Sequence, residues 1–319
     1  MDSSAAMRKE RTTVAKVPIH FIGFLANASH SITGLKLGEG FAIERKSSND
    51  VAPFLREINR YHACYGLQTA FSILSRSSHY CVLRTDIAQF EATPEGGVGM
   101  RRKVLDETHR CVQDKCRLLR LFKEGNIVLA CSFAYHLADA DKEAKPFASN
   151  IRECPIVDAT QFALTPGEIS EAESFLQTTS LPLPDKALQL AFETFDLSYE
   201  TDDIGLAFLS SMIAMEVLLG PKDQQRITHW ISTNAGVLLG QSQSNGQRIS
   251  EKMKGLYEKR SKLVHTGDKS VVEREDIPEL RHYVRETIKE VMRSGMPKDA
   301  LLDTLKSCRF GQRPWRATQ

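Results

Sequence analysis

An arginine and a histidine stand five residues apart near the end of a predicted helix. They are Arg260 and His265, in the segment Leu256-Tyr-Glu-Lys-Arg-Ser-Lys-Leu-Val-His-Thr-Gly267, where the glycine predicts the helix end. A guanidinium can hold a phosphate, and an imidazole can give or take a proton. These two groups are sufficient for cleavage of RNA without a metal ion.

The spacing alone does not single out this pair. Arg56 and His62 stand at a similar separation, as do Arg102 and His109. A histidine at a helix end can also serve only as a cap. The hypothesis therefore depends on the setting of the two residues.

Arg260 interrupts an apolar stripe. In the predicted helix Gln247–His265 the stripe consists of Ile249, Met253, Leu256 with Tyr257, and Val264, and Arg260 occupies the position between the last two. An inward guanidinium must find an anion or line a cleft, because burying it unpaired is costly.

Glu216 interrupts a second stripe in the same way. The predicted helix Asp202–Leu219 carries Leu209, Met212 and Ile213, followed by Glu216. One interpretation is a buried pair of Glu216 and Arg260 that fixes helix register. The other is that Glu216 orients Arg260 beside the phosphate of a ligand.

The elements around these helices predict an α+β fold: an N-terminal mixed α/β domain followed by an all-α bundle. Short connections between amphipathic helices indicate antiparallel neighbours. The predicted strands are Pro18–Leu25, Gly40–Ile43, Tyr80–Phe90 and Ile127–Tyr135, and the early helices are Val51–Arg60 and Arg101–Lys123. The later helices are Pro166–Gln177, Pro184–Tyr199, Asp202–Leu219, Pro221–Leu239, Gln247–His265, Glu275–Arg293 and Pro297–Ser307. The predicted organisation is a loose terminus at 1–14, an α+β domain at 15–140, a linker at 141–165, the bundle at 166–308 and a basic tail at 309–319.

Charge is informative only locally, since the net charge of the 319 residues is +2. Basic residues cluster in the segments 101–123 and 248–269 and in the tail. Solvated helix faces explain such clusters, and so does a surface that faces phosphate. On the second interpretation Arg248, Lys259 and Lys262 are RNA-binding residues.

The seven cysteines and the absence of a signal peptide favour reduced thiols and a cytoplasmic location. The most apolar run, Ile204–Gly220, is short for a bilayer span and is predicted to be a core helix. His62-Ala-Cys64 and His79-Tyr-Cys81 hold soft ligands, but not at a usual zinc spacing. The sequence therefore predicts no metal and no cofactor.

Three segments together resemble the Apea-like branch of the HEPN superfamily. They are Met212-Ile-Ala-Met-Glu-Val-Leu-Leu-Gly220, the helix Gln225–Leu239 with Trp230, and the segment from Tyr257 to Gly267. HEPN domains are helical bundles with an R-x4–6-H motif, which Arg260 and His265 match, and Glu216 falls at the acidic position of the upstream helix. The resemblance covers about residues 166–305.

This resemblance implies a metal-independent endoribonuclease, for example a toxin, that acts in a prokaryotic stress response or in defence against phage. It implies Arg260 and His265 as catalytic residues, with Glu216 and Ser261 supporting them. It also implies a homodimer that brings two motifs together, and RNA as the partner. Gly267 stands where toxins paired with nucleotidyltransferase antitoxins often carry a tyrosine. The alternative is a non-catalytic HEPN-like interaction module. In either case the N-terminal domain is expected to bind a trigger or a regulatory partner.

Overall fold

The computed structural model describes residues 16–65, 73–91, 98–138, 143–151, 160–221 and 226–312. The loose terminus predicted at 1–14 lies outside these ranges, and so does most of the basic tail, from 313 onward. In the described part a β-sheet precedes a region that is mostly helical, so the α+β prediction is confirmed.

Six strands form one antiparallel sheet in the order β2-β3-β4-β1-β5-β6. Their bounds are β1 Lys16–Ala26, β2 Lys36–Gly38, β3 Phe41–Ser47, β4 Ser78–Glu91, β5 Val128–Leu137 and β6 Ala144–Ile151. Alternate residues of β1 point to opposite faces: Phe21 and Leu25 join one hydrophobic cluster, Ile22 and Phe24 the other. The sheet is therefore covered on both sides.

Nine α-helices lie within the described ranges. They are α1 Ala52–Tyr65, α2 Val98–Phe122, α3 Pro166–Thr178, α4 Lys186–Leu197, α5 Ile204–Leu219, α6 Ile227–Leu239, α7 Gln243–Thr266, α8 Asp276–Ser294 and α9 Lys298–Ser307. Helix α1 packs Phe54 and Ile58 on one face of the sheet. Helix α2 and the later helices pack on the other face.

Strand β6 lies inside the range 141–165 that the sequence analysis assigns to a linker. It pairs with β5 along the edge of the sheet, with a bulge opposite Ala134 and Tyr135. Most of its side chains are only half-buried, and Pro146 has no backbone N–H to donate to a neighbouring strand. A short edge strand of this kind lacks the alternating apolar pattern by which a strand is recognised in sequence. The same is true of the three-residue β2.

One hydrophobic cluster extends from the sheet into the helical region. It includes Phe21 of β1, Leu118 of α2, Phe195 of α4 and Ile288 of α8. The two predicted domains therefore share a core.

Buried charges join the same two regions. The carboxylate of Asp196 on α4 contacts two arginines of α2: Arg117 Nε at 2.7 Å and Arg120 Nη1 at 2.9 Å. Arg120 also donates to the Ile127 carbonyl at 3.0 Å. The side chains of Asp196 and Arg120 are 4% and 6% exposed. Both charges are thus held almost out of water, and each depends on the other.

A second cluster of buried charges lies beside Tyr199. Arg285 of α8 binds Glu124 and donates to the Tyr199 hydroxyl at 2.7 Å. Arg281 stacks over the Tyr199 ring, 3.8 Å from its centroid, and hydrogen-bonds Ser198. Burial raises the pKa of Tyr199. Glu124 follows α2 in sequence, so this cluster also ties the sheet region to the later helices.

Helices α6 and α7 meet through glycines. A β-carbon at Gly246 would lie 2.8 Å from the Gly236 carbonyl oxygen, and one at Gly236 would lie 2.5 Å from the Gly246 carbonyl oxygen. Only glycine allows the backbones this close. The contact fixes the start of α7, the helix that carries Arg260 and His265.

No helix within the described ranges combines the length and apolarity that a membrane span requires. Helix α5, which contains the most apolar run of the chain, is mostly buried between other helices, including α4 and α8.

Candidate functional site

Arg260 lies on the half-buried flank of α7. The residues that face the core are Ile249, Met253, Leu256, Tyr257 and Leu263. Val264, predicted to be the last member of this stripe, is 49% exposed. At about 100° per residue, Leu263 lies roughly 20° from Leu256 around the helix axis and Val264 roughly 80° from it, so Leu263 continues the buried face and Val264 turns outward.

The Arg260 guanidinium pairs with Glu216 of α5, as the two interrupted stripes predict. Arg260 Nε lies 2.9 Å from Glu216 Oε1, at an angle that makes this an ion-pair contact rather than a hydrogen bond. Arg260 Nη2 donates to Glu216 Oε2 at 3.3 Å. The two side chains are 25% and 19% exposed. The pair is therefore accessible from solvent on one side.

Tyr257 completes the surroundings of this pair. The Arg260 guanidinium lies 5.5 Å from the centroid of the Tyr257 ring, and the Tyr257 hydroxyl hydrogen-bonds to Glu216. Burial and the neighbouring carboxylate raise the pKa of Tyr257 to about 12. From its sequence position Tyr257 is predicted only to be a core residue. Its place one turn before Arg260 was the available signal, because residues three apart on a helix are neighbours.

The stripe predicted for α5 is correct at only one of its three apolar positions. Met212 is fully buried, but Leu209 is half-buried and Ile213 is 41% exposed. Glu216 therefore belongs to the flank that turns from the core toward solvent. Helix α5 is apolar almost all round, so sequence periodicity could not show which of its faces is buried.

His265 lies in the last turn of α7. The helix ends at Thr266, and Gly267 adopts the left-handed conformation with φ of 69° and donates its N–H to the Leu263 carbonyl. The predicted glycine cap is confirmed. The His265 side chain is exposed, and among the described residues it makes no hydrogen bond or ion pair.

The structure does not bring His265 to the Arg260–Glu216 pair within one chain. Five helical residues separate the two side chains by roughly 140° around the axis and about 7.5 Å along it. Arg260 faces α5, while His265 faces solvent beyond the end of the helix. A shared site therefore needs a ligand that bridges both, or a second copy of the chain.

The predicted RNA-binding residues are placed differently from one another. Lys259 is engaged in the fold, since its Nζ lies 2.7 Å from the buried Asp276 carboxylate and 3.3 Å from Glu273. Lys262 and Arg248 are exposed. Arg248 is about 18 Å from Arg260 along α7 at 1.5 Å per residue. Lys262 is thus the accessible cation beside the motif.

Ser261, the predicted supporting residue, is half-buried next to Arg260.

The two His-x-Cys segments do not form a joint site. His79 is buried, contacts Ser48 Oγ at 3.2 Å and packs against the Phe24 ring. Burial lowers the pKa of His79, with Arg76 adding to the effect. Cys64 is exposed, and Cys81 is buried. Across the described ranges, no group of three or more His, Cys, Asp or Glu side chains is arranged to hold a metal ion.

Comparison of this chain with protein-family models, with curated proteins and with solved structures finds no match.

Replacing Glu216 by alanine is expected to destabilise the fold by about 1–2 kcal/mol, because it leaves the Arg260 charge half-buried without its carboxylate. Partial exposure of both side chains keeps the cost below that of a fully buried pair. Glu216→Gln retains an acceptor and should lose less. Urea denaturation measures the change. Glu258→Ala, at an exposed position of α7, is the matched control and should stay within about 0.5 kcal/mol of wild type. Equal stability of Glu216→Ala and the control would show that the pair contributes nothing.

Proposed function

We propose that this protein is a metal-independent endoribonuclease with a HEPN-like helical bundle, acting in a prokaryotic stress or defence setting. The observation that carries the proposal is the arrangement at the end of α7. Arg260 is held by Glu216 from a neighbouring helix, and an unpartnered, exposed His265 follows five residues later. The resemblance of the three segments to HEPN proteins supplies the reaction class.

In the proposed reaction the ribose 2′-oxygen attacks the adjacent phosphorus. The bond from phosphorus to the 5′-oxygen breaks, which leaves a 2′,3′-cyclic phosphate and a 5′-hydroxyl. His265 takes the proton from the 2′-hydroxyl or gives one to the leaving oxygen. Arg260 turns its accessible side to the phosphate and stabilises its developing charge. DNA is resistant because it lacks the nucleophile.

A homodimer is part of this proposal, since one arginine and one histidine that face different ways make a sparse site. Three apolar side chains support it: Leu206 and Ile213 of α5 and Val264 of α7 are 55%, 41% and 49% exposed. From here on, the apolar stripe means these three exposed residues, not the buried rows predicted for α5 and α7. Lys269, just after α7, binds Asp203, just before α5, so the start of α5 lies beside the end that carries His265. A two-fold axis through the stripe would bring two copies of the motif together.

The second candidate is a non-catalytic interaction module. It is favoured by the internal pairing of Arg260, whose guanidinium already has a carboxylate and an aromatic ring as partners. In this case Glu216 and Arg260 fix the packing of α5 on α7, and the apolar stripe serves association only.

An assay of purified protein on RNA in EDTA distinguishes the two. We expect wild type to cut RNA and not DNA of the same sequence, with cyclic phosphate at the new 3′ ends. His265→Ala should lose about 10²–10⁴-fold in rate, the usual contribution of a general acid or base. His282→Ala, at an exposed histidine of α8, is the matched control and should retain full rate. Cleavage that EDTA abolishes and magnesium restores would contradict the mechanism. Intact RNA under every condition would favour the interaction module.

A further inference from the structure

A groove runs along the open edge of the sheet, beside β6. Helix α1 forms one wall and the beginning of α2 the other, and its volume is about 490 Å³. That volume lies in the range of sites for small molecules. Three arginines line the groove: Arg60 from α1, and Arg101 and Arg102 from α2.

The charge of the groove is positive and accessible. Among its described lining residues, Glu57 is the only carboxylate, and it pairs with Arg60 at 3.1 Å. Arg102 pairs with Asp106 at 3.2 Å and donates to the Ser149 carbonyl at 2.9 Å. The Arg60 and Arg102 side chains are 70% and 54% exposed. Ion pairs at such exposure hold their partners weakly, so an incoming anion can compete for the guanidinium groups.

Aromatic rings accompany the arginines. Tyr61 lines the groove from α1, with its ring centroid 6.0 Å from that of the exposed Tyr65. Its hydroxyl accepts a hydrogen bond from Ser149 Oγ at 3.3 Å. The Arg101 guanidinium lies 5.3 Å from the centroid of the Phe147 ring. Flat π surfaces beside cations suit a ligand that carries an aromatic base next to phosphates.

The surroundings favour a small ligand over a nucleic-acid strand. Beyond the groove, Glu143 pairs with Arg56 and Glu107 with Lys103, and all four side chains are more than half exposed. These carboxylates, Glu143 just ahead of β6 and Glu107 on α2, interrupt the positive surface, whereas a bound strand needs a continuous one. The positive charge is concentrated within a single small-molecule volume.

We propose that this groove binds a nucleoside di- or triphosphate. Its phosphates would contact Arg60, Arg101 and Arg102, and its base would stack on Tyr61. The proposal goes beyond the ribonuclease function and does not depend on it. It gives the region ahead of the bundle a ligand of its own.

Calorimetric titration of the full chain tests the proposal. The probes are ATP, GTP, inorganic triphosphate and a ten-nucleotide 2′-O-methyl RNA strand. This strand has no free 2′-hydroxyl, so the proposed reaction cannot cleave it. We expect at least one nucleotide to bind more tightly than triphosphate. The strand, whose proposed site is on α7, should bind equally to wild type and to the groove variant Arg60→Gln. Arg60→Gln and Arg101→Gln should each weaken its Kd by about ten-fold or more, as loss of a guanidinium–phosphate contact does. Tyr61→Leu should weaken the nucleotide but not triphosphate.

Arg45→Gln is the matched control, since Arg45 is an exposed arginine of β3, away from this groove. It should leave Kd unchanged, and thermal unfolding should show that all variants fold as wild type does. The proposal is overturned if neither nucleotide binds at millimolar concentration. It also fails if triphosphate binds at least as tightly as the nucleotides, or if Arg60→Gln weakens binding of the RNA strand as much as binding of the nucleotide, since the groove would then be an RNA surface. If the arginine variants fold normally and bind the nucleotide as wild type does, the nucleotide binds outside this groove and the proposal fails.

Discussion

Asp196→Ala is expected to destabilise the protein by about 3–5 kcal/mol, the usual cost of removing one partner from a buried charge pair. The Asp196 carboxylate is 4% exposed and contacts both Arg117 and Arg120. Without it, the Arg120 guanidinium would stay almost fully buried, with the Ile127 carbonyl as its remaining hydrogen-bond acceptor among the described residues. A loss of this size is about a fifth or more of the stability of a typical domain.

Urea denaturation monitored by circular dichroism measures this change. Asp202→Ala is the matched control, because Asp202 is an exposed aspartate six residues further along, and it should lie within about 0.5 kcal/mol of wild type. A variant at position 196 as stable as this control would mean that the arginines relax into solvent, and the pairing would then carry no stability.

The same contacts determine how the chain can be divided. Arg281 and Arg285 of α8 bind Glu124, and Asp196 of α4 binds two arginines of α2. A fragment that starts at residue 160 retains Arg281, Arg285 and Asp196 but loses their oppositely charged partners on and after α2. Such a fragment is expected to be unstable, so regulation by the first region is better tested in the full chain, by substitutions in the groove beside β6.

The sequence was most informative where a pattern repeats over many residues. Apart from α6, which begins at Ile227 rather than at the predicted Pro221, the long helices and the central strands lie within a few residues of their predicted bounds. Apolar periodicity and glycine or proline ends mark these elements locally. The contact between Glu216 and Arg260 could also be predicted. Each charge interrupts an apolar row, and such charges are rarely left unpaired.

The remaining features depend on partners far away in sequence. Arg281 and Arg285 look like solvated residues of an amphipathic helix, yet both are buried because Glu124 and Tyr199 come to them from other segments. In the sequence Lys259 looks like a free cation beside Arg260, but in the structure its Nζ forms an ion pair with Asp276. Such pairings are tertiary, and local periodicity contains no information about them.

Ile213→Asp is expected to convert a dimer into a monomer and to reduce RNA cleavage by about 10²-fold or more, since each motif would lose the second arginine and histidine. Ile213 is 41% exposed on α5, two turns from Leu206, which is 55% exposed. Apolar side chains in a row on one side of a helix are stabilised by a covering surface, and a carboxylate there opposes burial. Light scattering reports the mass against 35.8 kDa for one chain.

Leu190→Asp is the matched control for this change. Leu190 is 49% exposed on α4, outside the apolar stripe, so its replacement should leave both mass and cleavage unchanged. If wild type is a strict monomer with and without RNA, the proposed dimer is wrong. Arg260 and His265 must then act together through a ligand that spans both. If Ile213→Asp becomes a monomer yet cuts RNA at the wild-type rate, the stripe is an interface but each chain carries a complete site. Only a variant that loses both dimerisation and RNA cleavage supports a site shared between two copies. Such sharing is expected because the Arg260 and His265 side chains face different ways on α7.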